Sequence, residues 1–166
     1  MQLIKVFSYI CRVINEQTNI DFENSIGPWL GRTVKILDYV LQESLQSNDL
    51  DLTKEQMVVL KKLHDNDGLN QNELAFLTLR NKSSLTRLLT KMENKNYILR
   101  KQSVEDKRIK NVFLTQLGKE TFIKTKPVIK EMITDMELSI SKEEKAQIIN
   151  TLKKIQSNFN TKIESF

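Results

Sequence analysis

One cysteine in 166 residues leaves no internal disulfide to form, and a lone histidine leaves no His/Cys cluster for zinc. Four glycines and two prolines are few breakers, so long helices are expected. No stretch reads as a flexible linker, a low-complexity tail or an internal repeat. No apolar run approaches the roughly 20 residues that span a bilayer. The N-terminal MQLIKVFSYICRV lacks a small-residue cleavage site and a continuous apolar core, which makes a poor signal peptide. There is no G-x-S-x-G, no phosphate-binding loop, and no carboxylate in a Gly-rich or strand-end setting that suggests catalysis. Cys11 as a nucleophile would need a base, and His64 is the sole candidate; a lone histidine is far more often structural. The expectation is a cytoplasmic protein of about one domain's length, with no catalytic residue, no metal, no cofactor and no membrane contact.

What the chain does have is local positive charge. Between Arg80 and Lys110 stand ten basic residues (Arg80, Lys82, Arg87, Lys91, Lys95, Arg100, Lys101, Lys107, Arg108, Lys110) against three acidic ones (Glu93, Glu105, Asp106). The window is +7 in a chain of +5, so the remainder is net acidic. Such concentration is the footprint expected for nucleic acid, although charge runs are more often solvated faces. The surrounding pattern favours the footprint. Two short helical patterns come first, joined by a tight turn, and two strand-like runs (97–102 and 109–114) follow with a charged tip between them. The second helix opens at Asn81, an N-cap residue. Its Leu85, Leu88, Leu89 and Met92 recur at helical spacing, so one face packs inward. The other face carries Lys82, Ser83, Thr86, Arg87, Thr90 and Lys91, side chains able to bond phosphates and base edges.

The run Asp106-Lys107-Arg108, followed by Leu114-Thr115 and Gly118, resembles the D-x-R…L-T-x-x-G wing signature of the MarR family. The preceding Ser83-Ser84-Leu85-Thr86-Arg87-Leu88-Leu89 resembles that family's recognition helix. The match is specific over 69–120, extends more loosely over 27–166, and is absent over the first twenty or so residues. One departure is Asn96, where the family usually has glycine; asparagine tolerates the left-handed conformation better than most residues. The resemblance implies a dimeric bacterial winged helix-turn-helix transcription regulator. It implies that Arg80, Lys82, Ser83, Ser84, Thr86, Arg87, Lys91, Asp106, Lys107 and Arg108 meet double-stranded DNA, with Arg108 entering the minor groove. Asp106 would then hold the Arg108 guanidinium extended. Many family members respond to small molecules, so an effector pocket is a further option, with Trp29, Tyr39 and His64 as candidate lining residues and core packing as their alternative role.

The rest of the chain fits a mainly α fold with a small β-hairpin. Leu3, Ile4, Phe7, Ile10, Cys11 and Ile14 form the stripe of an added amphipathic helix, so 1–26 is read as that helix and a linker. Relatives that sense peroxides carry their cysteine on the first core helix, near Trp29 here, which leaves Cys11 a packing role. Residues 27–50 and 116–166 are read as a helical dimerisation region drawn from both termini, and 51–115 as the DNA-binding domain. A helix starts near Pro28; Thr53/Gln56, Asn70/Glu73 and Ser141/Glu144 are capping-box pairs; Thr115 caps a long helix containing Pro127. In the last helix Ile148, Leu152, Ile155, Phe159 and Ile163 make a seam close to that of a coiled coil, placed against a second copy. The function expected is a homodimeric repressor of a pseudo-palindromic operator. The rival is a winged-helix protein–protein adaptor without DNA binding.

Overall fold

The computed structural model describes residues 21–159. Among these are six helices and one antiparallel pair of strands, in the order α1 (Ile26–Ser47), α2 (Lys54–Asp65), α3 (Gln71–Leu77), α4 (Lys82–Asn94), β1 (Ile98–Gln102), β2 (Lys110–Leu114), α5 (Gln116–Met136) and α6 (Lys142–Ser157). This is the expected helix-turn-helix (α3, α4) followed by a hairpin wing (β1, β2). The expected N-terminal helix, Cys11 included, and Ile163 lie outside the described residues. Backbone contacts divide the chain into two units, Met1–Asp38 and Tyr39–Phe166. None of the described helices is long and apolar enough to cross a membrane.

Helix starts follow local chemistry. All three capping boxes read from the sequence are present, at α2, α3 and α6. At α3, for example, Glu73 N–H donates to Asn70 Oδ1 at 3.0 Å while Asn70 N–H donates to Glu73 Oε2 at 2.7 Å. Each cap satisfies donors that the first turn leaves orphaned, a contribution of about 1 kcal/mol. Pro127 lies inside α5. Gly68, the one glycine near the end of α2, does not cap that helix. The cap of α2 is Asn66, and Gly68 sits two residues on with φ +84°. There its N–H donates to Val112 O at 3.1 Å, and Val112 N–H donates to Leu69 O at 2.9 Å. The link between α2 and α3 thus lies beside β2 as a third, short edge, extended by a bridge between Asn70 and Asn111. An edge backbone needing partners decides the position of Gly68 more than the helix end does.

The core of the second unit draws on every element from the later half of α1 to α5. Leu45, Val59, Leu60, Leu63, Leu74, Leu89, Met92 and Val112 are fully buried there. The recognition-helix candidate α4 buries Leu85, Leu89 and Met92, with Leu88 partly covered, as its periodicity requires. α6 buries none of its residues. In the turn between α3 and α4, Leu79 takes a left-handed φ of 51° and stays exposed.

The wing is joined to α5 by a junction that explains the L-T-x-x-G pattern. Thr115 N–H donates to Tyr97 O at 3.1 Å, and its hydroxyl donates to Asn96 O at 2.6 Å. The same hydroxyl oxygen accepts from Gly118 N–H at 3.0 Å, capping α5. Asn96, the departure from the family pattern, is left-handed with φ 56°. A Cβ on Gly118 would lie 2.0 Å from Tyr97 O, a main-chain atom that no rotamer change can move. Gly118→Ala should therefore separate the wing base from α5 and cost about 3 kcal/mol or more, at the top of the range for overpacking. An unchanged midpoint in urea denaturation would contradict this account.

Candidate nucleic-acid interface

α4 is set in place by its own first turn. Asn81 Oδ1 accepts from Ser84 N–H at 2.8 Å and from the Ser83 hydroxyl at 2.9 Å. Arg80 Nη1 donates to Ser84 Oγ at 3.1 Å, and Arg80 Nη2 lies 3.6 Å from Glu55 Oε1 at the start of α2. Burial alone would raise the Glu55 carboxyl, but its own main-chain N–H, the Thr53 hydroxyl and the Arg80 charge outweigh burial and lower it. The Thr86 hydroxyl donates back to Lys82 O at 2.7 Å. Of the expected contact residues on this helix, Lys82, Ser83, Thr86, Arg87 and Lys91 are exposed, whereas Arg80 and Ser84 are half-buried. Arg80, Ser83, Ser84, Arg87 and Lys91 line one polar cleft of about 520 Å³ with Thr53 and Glu55.

The ten cations divide by what they touch. Three are tied to carboxylates: Arg80 to Glu55, Lys95 to Asp51 at 2.7 Å, and Arg100 to Glu93. The other seven, Lys82, Arg87, Lys91, Lys101, Lys107, Arg108 and Lys110, are all exposed. They lie on α4, on the two strands and at the hairpin tip. These internal ties were not legible in the sequence, because Glu55 and Asp51 lie far from their partners along the chain. The Glu93 carboxyl is held below its ordinary value by hydrogen bonding from Arg100, against opposing burial. A depressed carboxylate gives its stabilisation above the ordinary carboxylate range and loses it as pH falls below. The pair is therefore intact at neutral pH.

The wing tip is a closed turn. Ser103 N–H donates to Ile109 O at 2.8 Å, and Ile109 N–H donates to Asp106 O at 2.9 Å. Asp106, Lys107 and Arg108 are exposed there. Asp106 does not bond the Arg108 guanidinium as expected: its Oδ1 accepts from the main-chain N–H of Arg108 at 2.8 Å. A short side chain closes on the backbone two residues ahead more readily than on a long mobile head group, which is the Asx turn.

Trp29 is exposed and lines a cleft of its own with Phe22, Glu23, Pro28 and Arg32, its indole N–H donating to Glu23 O at 2.8 Å. Tyr39 is exposed. His64 packs on Phe122, ring centres 4.7 Å apart. Phe122 in turn lines an apolar groove of about 540 Å³ between α2 and α5, with Met57, Val58, Ile129 and Ile133 on its walls and Lys61, Lys126 and Lys130 around it. On α6, Ile148 and Phe159, just past its end, are exposed, while Leu152 and Ile155 are half-covered. Among the described residues no three of His, Cys, Asp and Glu gather as a metal site.

The sequence profile of the MarR family matches residues 52–110, which hold α2, the helix-turn-helix, β1 and the wing tip. The chain is 31% identical over 113 residues to the HTH-type transcriptional regulator SarZ of Staphylococcus aureus, covering 68% of this chain and 75% of that one. It is similar in structure to Staphylococcus aureus MepR, solved as a DNA complex, with a TM-score of 0.75 and 28% identity over 81% of this chain and 99% of that one. Bordetella bronchiseptica BpsR, whose DNA binding is regulated by 6-hydroxynicotinic acid, shares the fold with a TM-score of 0.76 at 19% identity, over 83% of this chain and 97% of that one. With these likenesses added to the helix-turn-helix and its basic wing, the chain belongs to the MarR family of winged helix-turn-helix, DNA-binding transcriptional regulators.

Proposed function

We propose that the protein is a homodimeric repressor that reads a pseudo-palindromic operator, with α4 in the major groove and the hairpin tip in the flanking minor groove. The observation that carries this is the set of seven exposed cations on α4 and the hairpin, none of which forms an ion pair with a carboxylate among the described residues and which a polyanion would neutralise. In this reading Arg87 and Lys91, with Lys82 and Thr86, meet bases and phosphates, while Lys107 and Arg108 occupy the minor groove. Ser83 joins them from its exposed position, its hydroxyl donating to Asn81 Oδ1 in the free protein. Arg80 and Ser84, engaged with Glu55 and each other, hold the helix start and offer only their outer edges. Residues 51–115 then form the reading domain.

The two terminal regions, 27–50 and 116–166, are the dimerisation region in this proposal. Support comes from α6, which buries nothing within its own chain and yet carries Ile148, Leu152 and Ile155 at seam spacing, with Phe159 beyond. An apolar stripe left uncovered on a soluble chain marks a partner surface. Release by a small organic acid is part of the same proposal. Its seat would be the groove between α2 and α5, where apolar walls suit a ring and the three surrounding lysines suit a carboxylate. His64 reaches that groove through Phe122. Trp29 and Tyr39 do not line this groove.

Ile155→Asp should convert the dimer to monomer in sedimentation, since the seam would have to bury a charge. A wild-type monomer at micromolar concentration would remove the dimer from the proposal. Arg87→Ala should cost about 1–3 kcal/mol on the preferred duplex and relax one position in each half-site. Arg108→Ala should weaken binding and flatten its salt dependence, which runs at about −0.9 in log affinity per phosphate contacted. Unchanged affinity and slope would mean that the hairpin does not read DNA. Because Asp106 closes the tip through the backbone, Asp106→Asn, which keeps an acceptor, should bind nearly as wild type, whereas Asp106→Ala should bind like Arg108→Ala. Equal loss in both would restore a charge-based role for this carboxylate.

A further inference from the structure

A three-residue cluster joins the two parts of the proposed reading surface. Arg100, the third residue of β1, is largely buried, with 16% of its side chain exposed, and reaches back to the last turns of α4. Its Nε donates to Glu93 Oε2 at 3.0 Å, and its main-chain N–H donates to Glu93 Oε1 at 3.1 Å. Its Nη2 also bonds Glu93 and lies 3.3 Å from Thr90 Oγ1. One carboxylate thus takes both the backbone and the side chain of a strand residue. The hairpin register makes this available. Val112, opposite Arg100, turns its own N–H and C=O to Leu69 and Gly68, so Arg100 turns its N–H outward, toward α4.

We propose that Arg100 is a positioning residue for DNA recognition, a clasp through Glu93 and Thr90 that sets the wing at one angle and distance from the recognition helix. It rests on the helix-and-wing reading above. Between α4 and β1 the chain has only Lys95, Asn96 and Tyr97, with Asn96 left-handed, a short corner that fixes where β1 starts and leaves the angle of the strands to α4 to contacts made beyond it. The other hydrogen-bonded attachments of the wing lead to α5 and to the link between α2 and α3, so among the described residues only this cluster ties the strand by side-chain hydrogen bonds to the end of α4. Major-groove and minor-groove contacts are made together only if their separation matches the duplex, and a fixed angle spends no binding energy on ordering. The clasp also occupies the Thr90 hydroxyl, which therefore supports the wing instead of reading bases. Planar, two-point recognition of a carboxylate is an arginine property that lysine lacks.

The test starts with wild-type protein selecting a preferred duplex from a random pool; that duplex and an unselected one are then the two probes. Glu93→Gln removes the charge, and Arg100→Lys keeps the charge but loses the fork. Each should lower affinity for the selected duplex about tenfold, the scale of one charge-assisted bond, and change the unselected duplex far less. Hydrogen exchange of the free variants should quicken in β1 and β2 while α2 and α4 stay protected. Val59→Ala, a core change in α2, serves as the control that lowers melting temperature and leaves discrimination intact. Variants that bind both probes as wild type overturn the clasp. So does loss that is equal on both probes or that tracks melting temperature, since that is what general destabilisation produces. A wild-type protein that enriches no sequence overturns the operator reading itself, and with it the positioning role, before any variant is compared.

Discussion

A hydrogen atom where every other residue has a carbon governs how the reading domain is attached. At Gly118 the first turn of α5 comes so near the main chain of Tyr97 that the two backbones nearly touch. The approach lets one Thr115 hydroxyl serve two masters, donating to Asn96 O and accepting from Gly118 N–H. Strand, corner and helix are thereby held through main-chain atoms, which are the least adjustable parts of a protein. The end of the wing and the start of α5 are joined at this one contact.

Electrostatics is divided in the same economical manner. Three of the basic residues in the footprint are used inside the chain, each tying two segments that are distant in sequence or separated by a corner. A simple charge count therefore overstates what faces solvent. The remaining cations gain from the arrangement, because the paired ones hold α4 and the hairpin still while the exposed ones stay hydrated. Each pair has at least one partner reached by solvent, where ion pairs contribute little to stability, so their use here is better understood as geometry than as energy.

What the sequence revealed was whatever depends on neighbours along the chain. Thr53, Asn70, Asn81, Thr115 and Ser141 were readable as caps because a cap closes within three residues. The buried stripe of α4 was readable because helical period alone decides it. Features set by tertiary approach were not readable. Nothing local says that Arg100 folds back on Glu93, that Arg80 meets Glu55, or that Gly68 lies beside Val112. Asp106 shows an intermediate case: its partner residue was anticipated, and the atom was not, because backbone and side chain of Arg108 compete for one carboxylate. The apolar residues of α6 were legible as a stripe, and none of them is buried within the chain.

The third edge beside β2 has a further consequence. With Gly68 and Leu69 on one side and β1 on the other, β2 is bonded along both flanks, and sliding it by one residue would break both ladders and turn Val112 out of the core. The base of the hairpin is thus a fixed platform. Beyond Gln102 and Lys110 the tip has no such second flank, only its own turn. Residues can be inserted, removed or exchanged there without shifting the register beneath. New groove preferences could be grafted onto the tip while the scaffold keeps its dimensions, which makes this short loop the natural place to re-engineer sequence choice.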